Sequence, residues 1–277
     1  MRSPTETDRR GRWPRSLGEH TTNPRDVAPE WAQHMQGVTL IGDWWFITQE
    51  DRLWRLPVDT DLADAGGESM RQVGIPHAGC EHLGDCDYWN GRVYVAMEGT
   101  DPARVGVFDT ELAFIGSAAA CQQGSSNPWC AVDPVTGLLY SSLFDTDHLV
   151  AYEMSVDHDG IDLRPSHAVP LYDADGAALQ LERVQGGAFT PSGRLYLTVD
   201  SRESAVIGVD VDTGRQMLHH RIEREPGWPE HPVVEGLAYG PLDGRSTVGM
   251  GGQIHVIALT GGGQPDSLWF RHYDERY

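Results

Sequence analysis

One pattern recurs five times along the chain: a polar residue, then small or apolar residues, then a turn that contains glycine. Equivalent positions in the five copies are Gln36, Gly84, Pro128, Gln185 and Glu235. They are spaced 48, 44, 57 and 50 residues apart. A period near 50 residues, with several short strands in each period, is typical of the blades of a β-propeller.

The segments between these positions support the same interpretation. Each interval holds a further apolar strand, such as RLWRLPV, RVGVFD or HLVAYEM, and then a less regular segment. No helix-length pattern with a period of 3.6 residues interrupts them. We therefore predict an all-β, five-bladed propeller with about four antiparallel strands per blade. The predicted innermost strands are 36–41, 84–89, 128–133, 185–190 and 235–240.

The two ends of the chain differ from the repeat. Residues 1–30 are polar and rich in proline and arginine, so we predict an N-terminal arm that is partly irregular. Residues 31–277 are predicted to form a single propeller domain. The last blade contains its own candidate outer strand, SLWFRHYD. Closure of the ring therefore need not use the N-terminus, and the sequence leaves the closing strand open.

Composition restricts the partners of this protein. The chain has a formal net charge of −20 and contains no lysine. Such a chain repels phosphate backbones, which argues against nucleic acid and favours cations. No apolar run approaches the roughly 18 residues that a membrane span requires, and no apolar stretch follows the N-terminal arginines. We expect a cytoplasmic protein that acts on a small molecule, with no membrane or nucleic-acid partner, and leave its oligomeric state open.

The four cysteines fall into two local pairs, Cys80 with Cys86 and Cys121 with Cys130. In a secreted chain these pairs indicate two small-loop disulfides, whereas in a cytosolic chain reduced thiols are the default. Cys80, His82 and Cys86 offer three zinc ligands, but the spacing is not a standard one and no fourth ligand is evident.

Polar residues mark one face of the predicted propeller. The start of each innermost strand and the end of the next strand lie on the same face, around the mouth of the central channel. His82, Glu98 and Glu235 are the predicted acid–base groups at this mouth. Asp85, Glu98, Asn127 and Glu235 form a candidate ligand set for a divalent metal. Oxygen ligands suit Ca²⁺ or Mg²⁺, and added histidines admit Zn²⁺; no organic cofactor is indicated.

Further side chains are predicted to bind substrate at the same mouth. They are His34, Gln36, Asn127, Trp129, Gln185, Trp228 and His231. Trp129 stands where three other blades have glycine, so it forms either a pocket wall or a plug in the channel. The loop that carries Trp228 and His231 is either a pocket rim or a solvated connector.

Each of these residues also has a structural alternative. Aspartates such as Asp85 and Asp87 can cap turns or accept bonds from backbone amides. Gln36 and Gln185 can close hydrogen bonds between neighbouring inner strands. A single histidine is usually structural, but His34 and His82 occupy matching positions in two blades, which favours a ligand or acid–base role.

Two short motifs resemble those of known propeller families. The openings at 36–38 (QGV) and 235–239 (EGLAY) resemble blade openings of the glutamine cyclotransferase family, whose members are five-bladed. The Asn127-Pro128 pair, with carboxylates around the channel, is similar to the calcium-dependent lactonases that include gluconolactonase and senescence-marker propellers. These resemblances imply a cyclase or a calcium-assisted hydrolase.

Two functional classes remain after this reasoning. One is an enzyme that performs hydrolysis, cyclisation or elimination on a small molecule, with a metal or His82 as the electrophile or acid and Glu98 or Glu235 as the base. The other is a binding propeller that recognises a peptide or sugar on the same face. No G-x-S-x-G motif is present to indicate a serine nucleophile. Convergence of the polar residues on one channel favours the enzyme.

Overall fold

The computed structural model describes residues 11–23, 34–60, 71–157, 160–223, 233–242, 251–259 and 268–277. Within these residues there are twenty strands and no helix. The described parts of the chain therefore include no helix that is long and apolar enough to span a membrane. In chain order the strands are β1 (Ser16–Asn23), β2 (Met35–Ile41), β3 (Trp44–Gln49), β4 (Arg52–Pro57), β5 (Arg71–Gly74), β6 (His82–Trp89), β7 (Arg92–Glu98), β8 (Arg104–Asp109), β9 (Phe114–Ala119), β10 (Ala131–Val132), β11 (Leu139–Ser141), β12 (His148–Asp157), β13 (Gly160–Pro170), β14 (Val184–Phe189), β15 (Leu195–Val199), β16 (Ala205–Asp210), β17 (Arg215–Arg221), β18 (Val233–Tyr239), β19 (Ile254–Leu259) and β20 (Leu268–Arg276).

The strands form five antiparallel sheets of four strands each, which confirms the predicted five-bladed propeller. Four blades take consecutive strands, β2 to β5, β6 to β9, β10 to β13 and β14 to β17. The innermost strands β2, β6, β14 and β18 contact one another around the axis. The core lies between blades, where apolar residues of adjacent sheets form clusters such as the one that joins Trp129 and Leu149 to Leu197.

The fifth blade closes the ring with the N-terminal segment. Its strand order is β1-β20-β19-β18, so β1 is the outermost strand and β20, which contains SLWFRHYD, is the third. The sequence pattern had suggested SLWFRHYD as the outer strand, and that assignment is wrong. Glu19 on β1 holds Arg271 on β20 through two contacts of 2.7 Å. Arg271 is only 1% exposed, so its charge needs a partner, and the Glu19 carboxylate of the N-terminal segment supplies it.

Local sequence explains the hairpins that bring the inner strands back to the same face. Between β6 and β7, Asn90 and Gly91 both have positive φ, 48° and 78°. Two positive φ values are what a tight two-residue hairpin turn requires, and Asn-Gly is the pair that adopts them most readily. The turn pairs Trp89 with Arg92 and returns Glu98 to a position directly opposite His82.

The inner strand of the third blade is shorter than predicted. Strand β10 is paired only over Ala131–Val132, whereas the pattern predicted 128–133. Pro128 has no N–H to give to a ladder, which explains the missing first half. Instead of a strand-to-strand hydrogen bond, the Ser141 hydroxyl donates to the backbone oxygen of Trp129 at 2.7 Å.

Candidate functional site

Four of the five inner strands carry an irregularity at the same place. The register shifts between Met35 and Gly37, Leu83 and Cys86, Val184 and Gly186, and Val234 and Leu237. Such bulges insert an extra residue and turn the backbone locally. Backbone N–H groups near the bulges therefore point to the propeller axis instead of to the neighbouring strand.

Asp85 occupies the axis and accepts these N–H groups. Its Oδ1 accepts from Val38 at 2.8 Å and from Cys86 at 2.9 Å. Its Oδ2 accepts from Gly187 at 2.9 Å and from Leu237 at 3.2 Å. The Asp85 N–H in turn donates to the Pro128 backbone oxygen at 2.8 Å. One fully buried residue thus binds the inner segments of all five blades.

Glycines make this convergence possible and close the channel. A Cβ on Gly37 would lie 2.4 Å from the Asp85 Cα, and one on Gly236 would lie 2.4 Å from the Gly37 Cα. A Cβ on Gly186 would lie 2.7 Å from Asp85 Oδ2. Only residues without a side chain fit at these three positions. The axis is therefore tightly packed at the level of these three glycines.

The predicted role of Asp85 as a metal ligand does not fit this arrangement. A carboxylate has about four lone-pair directions, and all of them are used by N–H donors. Burial raises the pKa of Asp85, and its four backbone hydrogen bonds oppose that shift. Because no oxygen faces the mouth, Asp85 acts as the hub that sets the positions of the surrounding strands.

A cavity of about 220 Å³ lies at the mouth beside this hub. Apart from Phe144, its lining consists of six residues that the sequence analysis predicted as site residues or used as repeat markers: Gln36, His82, Gly84, Glu98, Pro128 and Gln185. These residues come from the first four blades. The structure therefore brings together predicted residues that are up to 149 positions apart (Gln36 to Gln185, 185 − 36).

Glu98 is fixed at one oxygen and open at the other. Its Oε1 accepts from the Ser126 hydroxyl at 2.9 Å and from the Asn127 backbone N–H at 2.7 Å. Its Oε2 has no hydrogen-bond partner among the residues that the structure describes. Glu98 also pairs directly with His82 across β6 and β7, which places the two side chains on the same face of the hairpin. The carboxylate is oriented without being neutralised.

His82 is oriented by the neighbouring blade. The Gln36 amide nitrogen donates to the His34 backbone oxygen at 3.4 Å, so the Gln36 amide oxygen faces His82 Nε2 at 3.0 Å. Because that oxygen can only accept, Nε2 carries the proton. Nδ1 faces the Glu50 carboxylate at 3.8 Å. Sequence reasoning missed Glu50, which directly follows β3 and donates its backbone N–H to the His34 oxygen, much as Glu98 stands opposite His82 in the next blade.

Gln185 and Phe144 complete the ligand-facing surface. The side-chain amide of Gln185 makes no hydrogen bond within the described parts of the chain. The Arg183 guanidinium carbon lies 5.6 Å from the centroid of the Phe144 ring. The same guanidinium forms an ion pair with Asp200 at 2.7 Å. Sequence reasoning missed Phe144; its position just after the second strand of a blade was the available signal.

Other predicted site residues lie outside the cavity lining. Asn127 is fully buried, and its side chain bonds the Arg104 backbone oxygen at 2.8 Å and the Ser141 hydroxyl at 2.5 Å. Trp129 is neither a pocket wall nor a plug, because it is buried between the third and fourth blades and donates to the Ser142 hydroxyl at 2.9 Å. A Cβ on Gly187 would lie 2.4 Å from the Trp129 ring, which shows how closely the ring packs there.

Four predicted site residues remain, and the structure describes two of them, Glu235 and His34. Glu235 is 5% exposed, and its backbone oxygen accepts from Thr198 at 2.6 Å. His34 is exposed at the start of its blade. Trp228 and His231 lie outside the described residues.

The predicted metal ligands therefore do not assemble into a site. Within the described ranges no three His, Cys, Asp or Glu side chains come close enough to hold an ion. Asp85 and Asn127 are buried and hydrogen-bonded to other partners, and only Glu98 of the predicted set lines the cavity. All four cysteines are free thiols, and Cys80 donates to the His82 backbone oxygen.

Comparison with known proteins supports the fold and no particular activity. No protein-family model matches the chain, and no curated protein matches it. A luciferin-regenerating enzyme superimposes with a TM-score of 0.54 at 12% identity, over 86% of this chain and 77% of that one. The β-xylosidase RS223 superimposes with a TM-score of 0.51 at 13% identity, over 90% of this chain and 94% of that one. At such low identity the similarity shows the propeller fold alone.

Proposed function

We propose that the cavity at the mouth is the active site of an enzyme that performs acid–base chemistry on a small polar molecule. The observation that carries this proposal is Glu98, whose one oxygen is fixed by two donors while the other is open in a cavity beside His82. A positioned carboxylate and imidazole are the two side chains that most often move protons in enzymes.

The arrangement supports hydrolysis, cyclisation or elimination. In this proposal Glu98 Oε2 removes a proton from water, from a substrate nucleophile or from carbon. His82 returns a proton to the leaving atom or polarises a substrate oxygen through its Nε2–H, which requires the hydrogen bond to Gln36 to open. Gln185 would orient the substrate through its amide, and Phe144 would contact its apolar part.

A second function, ligand capture without chemistry, is favoured by one observation. His82 Nε2 is engaged by Gln36, so one of the two ring nitrogens is unavailable for proton transfer unless that bond breaks. Under this alternative the same cavity binds the same class of molecule. Turnover is the property that separates the two functions.

Substitution of His82 by Asn is expected to lower kcat by roughly 10²–10⁴, the usual contribution of a positioned general acid or base. The measurement is turnover of a panel of small esters, lactones and β-substituted amines by the purified protein. His148→Asn is the matched control, because His148 also lies beside a carboxylate, 2.6 Å from Asp147, but outside the cavity. Equal rates in both variants would argue against an acid–base role, and a panel without turnover would favour ligand capture.

A further inference from the structure

The open oxygen of Glu98 sets the chemical class of the ligand. We propose that the cavity binds the ammonium group of a small primary amine, with its N–H donors directed to Glu98 Oε2. This inference rests on the site proposed above and names what that site accepts. It holds whether the bound molecule is then turned over or only retained.

The charge balance of the cavity supports a cation. Glu98 has no ion pair within 4.0 Å among the described residues, although it is only partly exposed. The Arg183 guanidinium behind Phe144 is already paired with Asp200 at 2.7 Å. The His82 Nε2–H is directed away from Glu98, to Gln36. The carboxylate is therefore the uncompensated charge in the lining, and an ammonium forms stronger hydrogen bonds with it than a hydroxyl does.

The rest of the cavity suits a short amine. The unbonded amide of Gln185 supplies a second acceptor oxygen, and Pro128 and Phe144 supply apolar surface for a carbon chain. A volume of about 220 Å³ equals roughly seven water molecules at their liquid volume of about 30 Å³ each. The formal net charge of −20 also draws cations to the protein at long range.

The test uses three probes with the same four-carbon skeleton: butylammonium, 1-butanol and butyrate. Their binding is measured by ¹⁵N chemical shifts, with the Asn127 backbone amide as the local reporter because it donates directly to Glu98 Oε1. Butylammonium is expected to shift this amide and to bind about tenfold or more tightly than butanol, as hydrogen bonds to charged groups imply. Butyrate is expected to bind most weakly.

Two variants locate the effect. Glu98→Gln is expected to remove the preference for butylammonium over butanol, whereas Glu153→Gln, at an exposed position on β12, is expected to keep it. The inference is overturned if butylammonium does not shift Asn127, if butanol or butyrate binds as tightly, or if Glu98→Gln keeps the preference. Because this assay needs no turnover, it can succeed while the His82→Asn experiment fails, and the reverse also holds.

Discussion

Asp85→Asn is expected to destabilise the folded protein by roughly 2–6 kcal/mol, because two buried backbone donors would each be left without an acceptor at a cost of about 1–3 kcal/mol. An amide has one acceptor oxygen where the carboxylate has two. Its NH₂ group would face two backbone N–H donors, either those of Val38 and Cys86 or those of Gly187 and Leu237. Two buried donors would then lose their acceptor. Chemical denaturation at pH 7 measures the free energy of unfolding directly.

Asp87→Asn is the matched control on the same strand. Asp87 Oδ2 accepts from the Val132 backbone N–H at 2.8 Å, and the oxygen of an amide can keep that hydrogen bond. Burial raises the pKa of Asp87 to about 7. The unfolded chain ionises this group near pH 4 while the folded protein holds its proton, so Asp87 costs stability as the pH rises from about 4 to about 7. Asp87→Asn should therefore match or exceed the wild type above pH 7, with little gain near pH 4.

A loss below about 1 kcal/mol in Asp85→Asn would contradict the hub. Such a result would mean that the inner strands hold their positions without the four hydrogen bonds. A loss of similar size in Asp87→Asn would also count against the hub role of Asp85. The destabilisation would then follow from any change of charge on β6.

Gly236→Ala is expected to destabilise the protein by at least the roughly 1–3 kcal/mol that overpacking of a core costs. The added Cβ would lie 2.4 Å from the Gly37 Cα, 2.5 Å from Asp85 Oδ1 and 2.8 Å from the Gln36 backbone oxygen. Two of these three atoms belong to the backbone of another blade, so no change of rotamer relieves the clash. Thermal and chemical unfolding of the purified variant measure the loss.

Gly74→Ala supplies the comparison for this steric effect. Gly74 ends the outer strand β5, and the nearest atom to a Cβ there is the Asp51 backbone oxygen at 4.0 Å. Alanine fits at this position and reduces the freedom of the unfolded chain, so the change should be neutral or slightly stabilising. Equal stability of the two alanine variants would show that the axis has room, and the channel would then not be closed.

The repeat made the architecture predictable because each blade carries its own turn and strand signals. The Asn90-Gly91 turn, for example, has both the residues and the positive φ values of a tight hairpin. The same hairpin predicts that Glu98 returns to the channel mouth near His82, and the register pairs these two residues directly. These relations are local, so one chain segment is enough to reveal them.

Contacts between distant segments could not be predicted in the same way. The bulge between Leu83 and Cys86 turns Asp85 to the axis, where its N–H donors come from residues up to 152 positions away. Trp129 lies just before the paired residues of β10, and the space that its ring fills is made by Gly187 of the next blade. Ring closure by β1 pairs Ser16 with Arg276, which no local pattern reveals.

We propose that the open carboxylate of Glu98 is the group on which the function of this protein depends. The most direct measurement is kcat/KM of Glu98→Gln beside Glu153→Gln, on any substrate that the wild type converts in the panel above. We predict a fall of roughly 10²–10⁴ in Glu98→Gln and an unchanged value in Glu153→Gln. The unfolding curve should stay as in the wild type, because the glutamine oxygen can still accept from Ser126 and Asn127. Full activity in a folded Glu98→Gln variant would contradict the claim and place the function elsewhere on the propeller.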